Sequence, residues 1–322
     1  MSAPLVSVVI PAYNHSSYVG QAIESVLVQD YPRIELIAID DGSTDATAEV
    51  LGRYAGRATI IRQENRGQAA TLNRGWSMAH GDFLGYLGAD DVLESSAVSE
   101  AVGALTGNPQ AVLAYPDFYL LDPQSRVIRT SRRKDFSYRD LLVSVECPPG
   151  PGVLFRRDAF EAAGGWNEEY RQMPDYDYWL RLGLLGEFIH IPKALAGFRI
   201  HPESQTFAPT PEARAIEPVK IVSAMFASGR LPPDLVSLHD RALSNAQIFS
   251  AQLHLRAGRV AAAWSCVRIA AKLCAANLLT PRSARALLNA LFNRIGHRLL
   301  WTTRRAIHSM GPRGSRPGGQ RE

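Results

Sequence analysis

Between residues 5 and about 120 the chain alternates short β-rich apolar runs with amphipathic stretches of helical spacing, and this alternation constrains the fold more than any other feature. Strands that alternate with helices build a largely parallel sheet with helices over its faces. Leu5 to Ile10 is expected as the first strand; Val19, Ile23, Val26 and Leu27 then share one helix face, and Ile34 to Ile39 is the second strand. Thr44 is expected to cap a helix carrying Val50 and Leu51. Ala58 to Ile61 follows as a third strand, Ala69, Leu72 and Trp76 mark another helix face, and Phe83 to Leu87 is the fourth strand. Past Tyr138 the pattern loosens into a mixed region. It holds a Pro/Gly loop over 148–152, a strand from Val153 to Arg156, a helix from Tyr176 to Leu185, and two strands, Phe188 to Ile191 and Leu195 to Ile200. A break at Ala208 to Pro211 precedes Ala-, Leu- and Arg-rich helical sequence, so the expected division is 1–210, 211–310 and a basic disordered tail, 311–322.

Composition narrows the class. With 46% hydrophobic and 20% charged residues over 322 positions, the chain has enough apolar material for a large core. Three cysteines make no even disulfide framework and no paired metal site, which points to a reducing compartment, the cytoplasm. The apolar run at the N-terminus is too short for a signal-peptide core. The net charge of +4 conceals an asymmetry: residues 281–322 hold nine arginines and one acid. Composition alone leaves nucleic acid, anionic lipid and an acidic partner open for that end. Val260 to Leu279 is strongly apolar but contains Arg268 and Lys272, which suits a buried or interfacial helix better than a membrane span.

Ligands of open α/β sheets bind beyond the carboxyl ends of the strands, so Pro11 to Asn14, Asp40 to Asp45 and Gly88 to Asp91 are the segments of interest. Asp40-Asp41-Gly42-Ser43-Thr44-Asp45 sets two carboxylates at a strand end, where they can accept from a ligand's hydroxyls or base or simply cap a turn. Asp90 and Asp91 repel each other unless a divalent cation such as Mg²⁺ or Mn²⁺ joins them; a solvated helix N-terminus is the plainer alternative. Asp175 and Asp177 do not share a helix face, so one can face a cleft while the other pairs with Arg181 four residues on. Arg199 and His201 close the last strand, with His201 either structural or a ligand for metal or diphosphate. No P-loop and no glycine-rich dinucleotide fingerprint follows strand one, which removes support for those two classes.

The ordered set SVVIPAYN, DDGSTD, ENRG, GADD, GGWNEEY, DYDYWLRL and FRIHPESQT, spanning residues 5 to 206, resembles the family 2 glycosyltransferases of GT-A fold. The resemblance implies a Rossmann-like, mostly parallel sheet flanked by helices, with a C-terminal helical region beyond it. It also implies transfer of a sugar from a nucleotide-diphospho-sugar to an acceptor hydroxyl, with inversion and with Mg²⁺ or Mn²⁺. Matched position by position, Pro11, Ala12, Tyr13 and Asp41 resemble the nucleoside pocket, with Asp90 and Arg199 also at the donor. Asp91 and His201 resemble metal ligands, and Asp175 resembles the general base. Two departures stand out: Gly88 where the family has a first acid, and Pro174 where it has a glutamate. They leave open a nucleotide-sugar-binding module with weakened turnover. A sugar nucleotidyltransferase would need a Gly-rich loop where Pro-Ala-Tyr-Asn stands.

The acceptor implied is a carbohydrate or a lipid-linked one. Leu287, Leu288, Leu291, Phe292, Ile295, Leu299, Leu300 and Trp301 recur at spacings of three and four beside Arg294, Arg298, Arg304 and Arg305. That suits a helix lying on an anionic membrane, at its inner face, as well as a helix packed on the catalytic domain. Nucleic acid is not an expected partner, because the basic end lacks interleaved aromatics.

Overall fold

In the computed structural model, which describes residues 3–201, 204 and 208–291, the first half of the chain alternates strand and helix as the pattern requires. The order is β1 (Val6–Ala12), α1 (Val19–Leu27), β2 (Ile34–Asp40), α2 (Thr47–Gly52), β3 (Thr59–Arg62), α3 (Gln68–Met78) and β4 (Phe83–Tyr86). There follow β5 (Val92–Leu93), α4 (Ala97–Gly107), β6 (Ala111–Leu121), β7 (Val127–Ser131), α5 (Tyr138–Ser144), β8 (Leu154–Arg156), α6 (Arg157–Ala163), α7 (Pro174–Leu182) and β9 (Glu187–Arg199). The C-terminal region is helical: α8 (Glu217–Ala227), α9 (Pro233–Val236), α10 (His239–Arg256) and α11 (Val260–Leu278), with residues 281–291 helical beyond them.

The strands form one sheet in the order β3-β2-β1-β4-β8-β6-β9-β5, with β7 on β6. The block β3-β2-β1-β4 is parallel, so β1, β2 and β4 deliver their C-terminal loops to one edge. β8 runs antiparallel to β4 and β6, β6 and β9 are parallel, and β5 is antiparallel to β9. The sheet is therefore mixed in its second half. Alternation along β1 divides the core between the faces: Val9 packs with Ile37, Leu72 and Trp76, whereas Val8 and Ile10 pack with Ile23 of α1. The first of these clusters continues through Ile221, Val222 and Met225 of α8 to Ala242 and Ala246 of α10, so the core runs across position 210.

Three expectations need correction. Thr44 does not cap α2: the helix begins at Thr47, and it is Asp45 that accepts from the Thr47 backbone N–H at 2.9 Å. Thr44 instead donates its N–H to Asn14 Oδ1 at 2.8 Å. The two strands at 188–191 and 195–200 are one strand, β9; its register against β6 slips between Ile191 and Ala194, where Pro192 has no N–H to give the ladder and a bulge absorbs it. Asp90 and Asp91 lie between β4 and β5 rather than at a helix start. Phe292, Ile295, Leu299, Leu300, Trp301, the arginines from 294 onward and the tail 311–322 lie outside the described residues.

Candidate functional site

The loops after β1, β2 and β4 meet at one edge of the sheet. Pro11 and Ala12 close β1, and Tyr13 just beyond is 46% exposed, an aromatic face open to a flat ligand. Asp41 is buried; its Oδ1 accepts from Gln63 Nε2 (2.7 Å) and the Arg66 N–H (2.9 Å), its Oδ2 from the Gly67 N–H (2.7 Å). Two carboxylate oxygens present about four acceptor directions, so one remains after these three bonds. Asp40 braces the turn, accepting from the Ser43 N–H at 2.9 Å and facing Arg62 at 3.2 Å. Gly42 between them has φ +75°, and a Cβ there would stand 2.8 Å from the Asn65 nitrogen. Only glycine lets the two loops close this tightly.

After β4, the His201 ring Nε2 lies 2.9 Å from Asp90 Oδ2. His15, Asp90 and His201 each offer a ligand atom, and these atoms all lie within 4.8 Å of one another. Asp91, expected as a ligand beside His201, is not part of that cluster. It is buried with Oδ1 accepting from the Arg199 N–H at 2.9 Å. Burial and the charge of Asp90 push its carboxyl well above the ordinary range. Burial also raises Asp90, but the His201 hydrogen bond and the positive field of His15 outweigh it and leave that carboxyl below the usual value. A cavity of about 260 Å³ opens beside the cluster, lined by Asn14, His15, Ser16, Tyr18, Asp45 and His201 among others. On its wall burial pushes Asp45 up, yet hydrogen bonds from Thr47 and Ser16 bring its carboxyl down to about 2.

Arg199 needs a correction of role. The resemblance places it at the donor, but it is wholly buried. Its guanidinium donates to the Asp90 carbonyl (2.7 Å), the Asp122 carbonyl (3.2 Å), Ser125 Oγ (2.9 Å) and Gln21 Oε1 (2.9 Å), and stacks 4.7 Å over the Tyr18 ring. It fixes the loop that carries Asp90. Gly88 stands close against the acid pair. A Cβ there would lie 2.8 Å from both Asp90 Oδ1 and Asp91 Oδ2, so the missing side chain makes room for the acid pair. Restoring the family's acid with Gly88→Asp is therefore expected to displace both carboxylates and weaken Mn²⁺ binding in a calorimetric titration, with Gly88→Ala acting in the same direction.

Asp175 stands in the first turn of α7 behind Pro174. Burial raises its carboxyl, opposed by backbone N–H groups of Tyr176 and of Asp175 itself. Tyr86, at the end of β4, is pushed up by burial and then by the charges of Asp175, Cys147 and Asp91. Asp177 takes the structural role expected, bonded to Arg181 at 2.8 Å. The loop at 146–152 is a packed connector: Pro148, Pro149, Pro151 and Gly152 are buried, and Arg133 donates to the carbonyls of Cys147 (2.5 Å) and Pro148 (2.7 Å).

Sequence reasoning missed His15 and Glu217. His15 follows PAYN directly, so its loop was the available signal. Glu217, buried at the start of α8, accepts from the N–H groups of Arg171 (3.0 Å), Gln172 (2.7 Å) and Met173 (3.1 Å). It thereby fastens the turn that leads into Asp175 to the C-terminal helices. Glu217→Ala strands those three donors and is expected to cost roughly 2–4 kcal/mol of stability, read as a lowered thermal midpoint.

A family model described as Glycosyl transferase family 2 matches residues 7–164. A chondroitin synthase of Escherichia coli is 32% identical over 205 residues, 62% of this chain and 30% of the relative. The chain spans 66% of the length of the first curated relative it matches and 20% to 30% of several others. Among solved structures, S. aureus TarS 1–349 in complex with UDP-GlcNAc superposes with a TM-score of 0.66 at 15% identity, covering 92% of each chain. The mannosyltransferase PcManGT of Pyrobaculum calidifontis, in complex with GDP-Man and Mn²⁺, gives 0.57 at 19% identity over 93% of this chain and 88% of that one. These likenesses establish the GT-A fold.

Proposed function

Because this chain belongs to glycosyl transferase family 2 through residues 7–164, we propose that it is an inverting glycosyltransferase that moves a sugar from a nucleotide-diphospho-sugar to an acceptor hydroxyl, in polysaccharide or glycoconjugate synthesis. One observation carries the reading. His15, Asp90 and His201 bring three ligand atoms within 4.8 Å of one another, beside a cavity of about 260 Å³ at the sheet edge that also carries Asp41.

In this reading the base of the nucleotide stacks on Tyr13 against the Pro11–Ala12 turn, and Asp41 offers its remaining acceptor direction. Asp175 accepts the proton of the acceptor hydroxyl as that oxygen bonds to the anomeric carbon. The bond to the nucleoside diphosphate breaks on the opposite face, and a single displacement inverts the centre. His15, Asp90 and His201 would hold a divalent ion, which when bound supplies positive charge beside the diphosphate. Two imidazole nitrogens and one carboxylate oxygen suit Mn²⁺ better than Mg²⁺, which takes oxygen ligands. Arg199 keeps Asp90 in place from behind. The acceptor is a carbohydrate or a lipid-linked one, met on the cytoplasmic face of a membrane.

The test is a thermal-shift screen of the purified chain with UDP-, GDP-, dTDP- and CMP-linked sugars in Mn²⁺. At least one nucleotide-diphospho-sugar is expected to raise the melting midpoint, and Tyr13→Ala to reduce that rise. A chain that none of them stabilises would lack the proposed donor site.

A further inference from the structure

We propose that the outward side of α11, together with residues 281–291, is a docking surface for an anionic lipid bilayer. The proposal rests on the reading of the chain as one that works at a membrane, and not on its transferase chemistry.

Charge is the first observation. From Arg241 to Arg321 the chain carries fourteen arginines and lysines and no aspartate or glutamate. The second is how α11 is held. Ala263, Ala270 and Asn277 face inward and are buried. Ser244 Oγ of α10 donates to the Ala270 carbonyl at 3.0 Å, and Asn277 Nδ2 donates to the Arg241 carbonyl at 2.9 Å. The Ser244 bond fixes the rotation of the segment before Cys274, where the backbone leaves helical geometry (φ −159°, ψ 91°), and there Trp264, Arg268 and Lys272, spaced by four, run along its outer side. Trp264 is 63% exposed and Leu279 85%, with Val260, Ile269 and Leu288 also exposed. Arg268, Lys272 and Arg285 are exposed as well.

Arg282 pairs with Glu146 at 2.6 Å. The large apolar side chains, interleaved with the remaining cations and without an acid of their own segment, form the pattern of a helix lying in a bilayer interface, where an indole sits at headgroup depth. No helix among the described residues is long and apolar enough to cross a membrane, so the surface lies on the bilayer rather than through it. A second copy of this chain is a poor occupant, because it would set two cationic faces against each other. Residues 292–321 are excluded on the same ground, since they add seven arginines and no acid.

The experiment is sedimentation of the full chain with vesicles of phosphatidylcholine alone or with phosphatidylglycerol, at low and high salt. Binding is expected only to the phosphatidylglycerol vesicles, and to weaken as salt rises. Trp264→Ser with Ile269→Ser, and separately Arg268→Gln with Lys272→Gln, are expected to reduce binding by about tenfold or more, at an unchanged melting midpoint. Nucleotide release from donor in the absence of vesicles should stay at the wild-type rate in both variants. The proposal is overturned if the chain stays in the supernatant, if both variants bind like wild type while deletion of 292–322 abolishes binding, or if duplex DNA is bound in place of vesicles. Sedimentation needs no turnover and nucleotide release needs no lipid, so failure of the surface and failure of the transferase reading remain distinct.

Discussion

Asp175→Asn is expected to lower turnover by about 10²- to 10⁴-fold while leaving donor affinity near wild type, since an amide of the same shape cannot take the acceptor's proton. The pH profile adds a signature. Burial raises the Asp175 carboxyl, so turnover should fall as pH drops through a value above the ordinary aspartate range, and that acid limb should vanish in the variant. Stability should move the other way. A carboxyl whose folded pKa is raised destabilises the native state once it ionises, so Asp175→Asn should melt higher than wild type at neutral pH. The difference should shrink as pH falls toward the range where the unfolded carboxyl is also protonated. Melting curves at several pH values check this, and a variant no more stable at neutral pH would argue against a desolvated charge at 175.

Chelation carries the second large effect. Treatment with EDTA is expected to suppress turnover, and Mn²⁺ to restore it further than Mg²⁺. Asp90→Ala and His201→Ala should each weaken Mn²⁺ binding by at least about tenfold, since even loss of a residue supporting a metal ligand has that scale of effect. Asp91→Ala tests the arrangement separately. Asp91 lies outside the His15–Asp90–His201 cluster and is tied to the Arg199 backbone, so its loss should act mainly through the placement of Asp90. Full turnover in EDTA would contradict the metal role.

What could be read from the sequence follows physical lines. β1 was legible because a strand buried on both faces reads as an unbroken apolar run, and Asp177–Arg181 because helix geometry forces i and i+4 together. Asp41 and Asp90 were legible as positions, since both follow a strand of the parallel block, at the edge where open α/β sheets bind ligands. Their partners were not. His15 meets Asp90 and His201 only once β1, β4 and β9 lie in one sheet, and no local periodicity announces that. Arg199 misled for a similar reason: a guanidinium at a strand end looks available to phosphate until the loops after β4 and β6 close over it. The crowding of Asp90 and Asp91 around Gly88 exists only in three dimensions, so the sequence shows the absent acid there and not the closeness. Glu217 sits in a helix that the sequence sets apart beyond a linker, yet it holds the turn before Asp175.

The most direct test takes the nucleotide-diphospho-sugar that stabilises the chain, adds Mn²⁺ and an acceptor, and follows nucleoside diphosphate release together with the anomeric configuration of the product, for wild type beside Asp175→Asn. The account predicts release with an inverted glycosidic product for wild type and almost none for the variant. Donor bound tightly by both, with no release from either, would contradict it and leave a nucleotide-sugar-binding module.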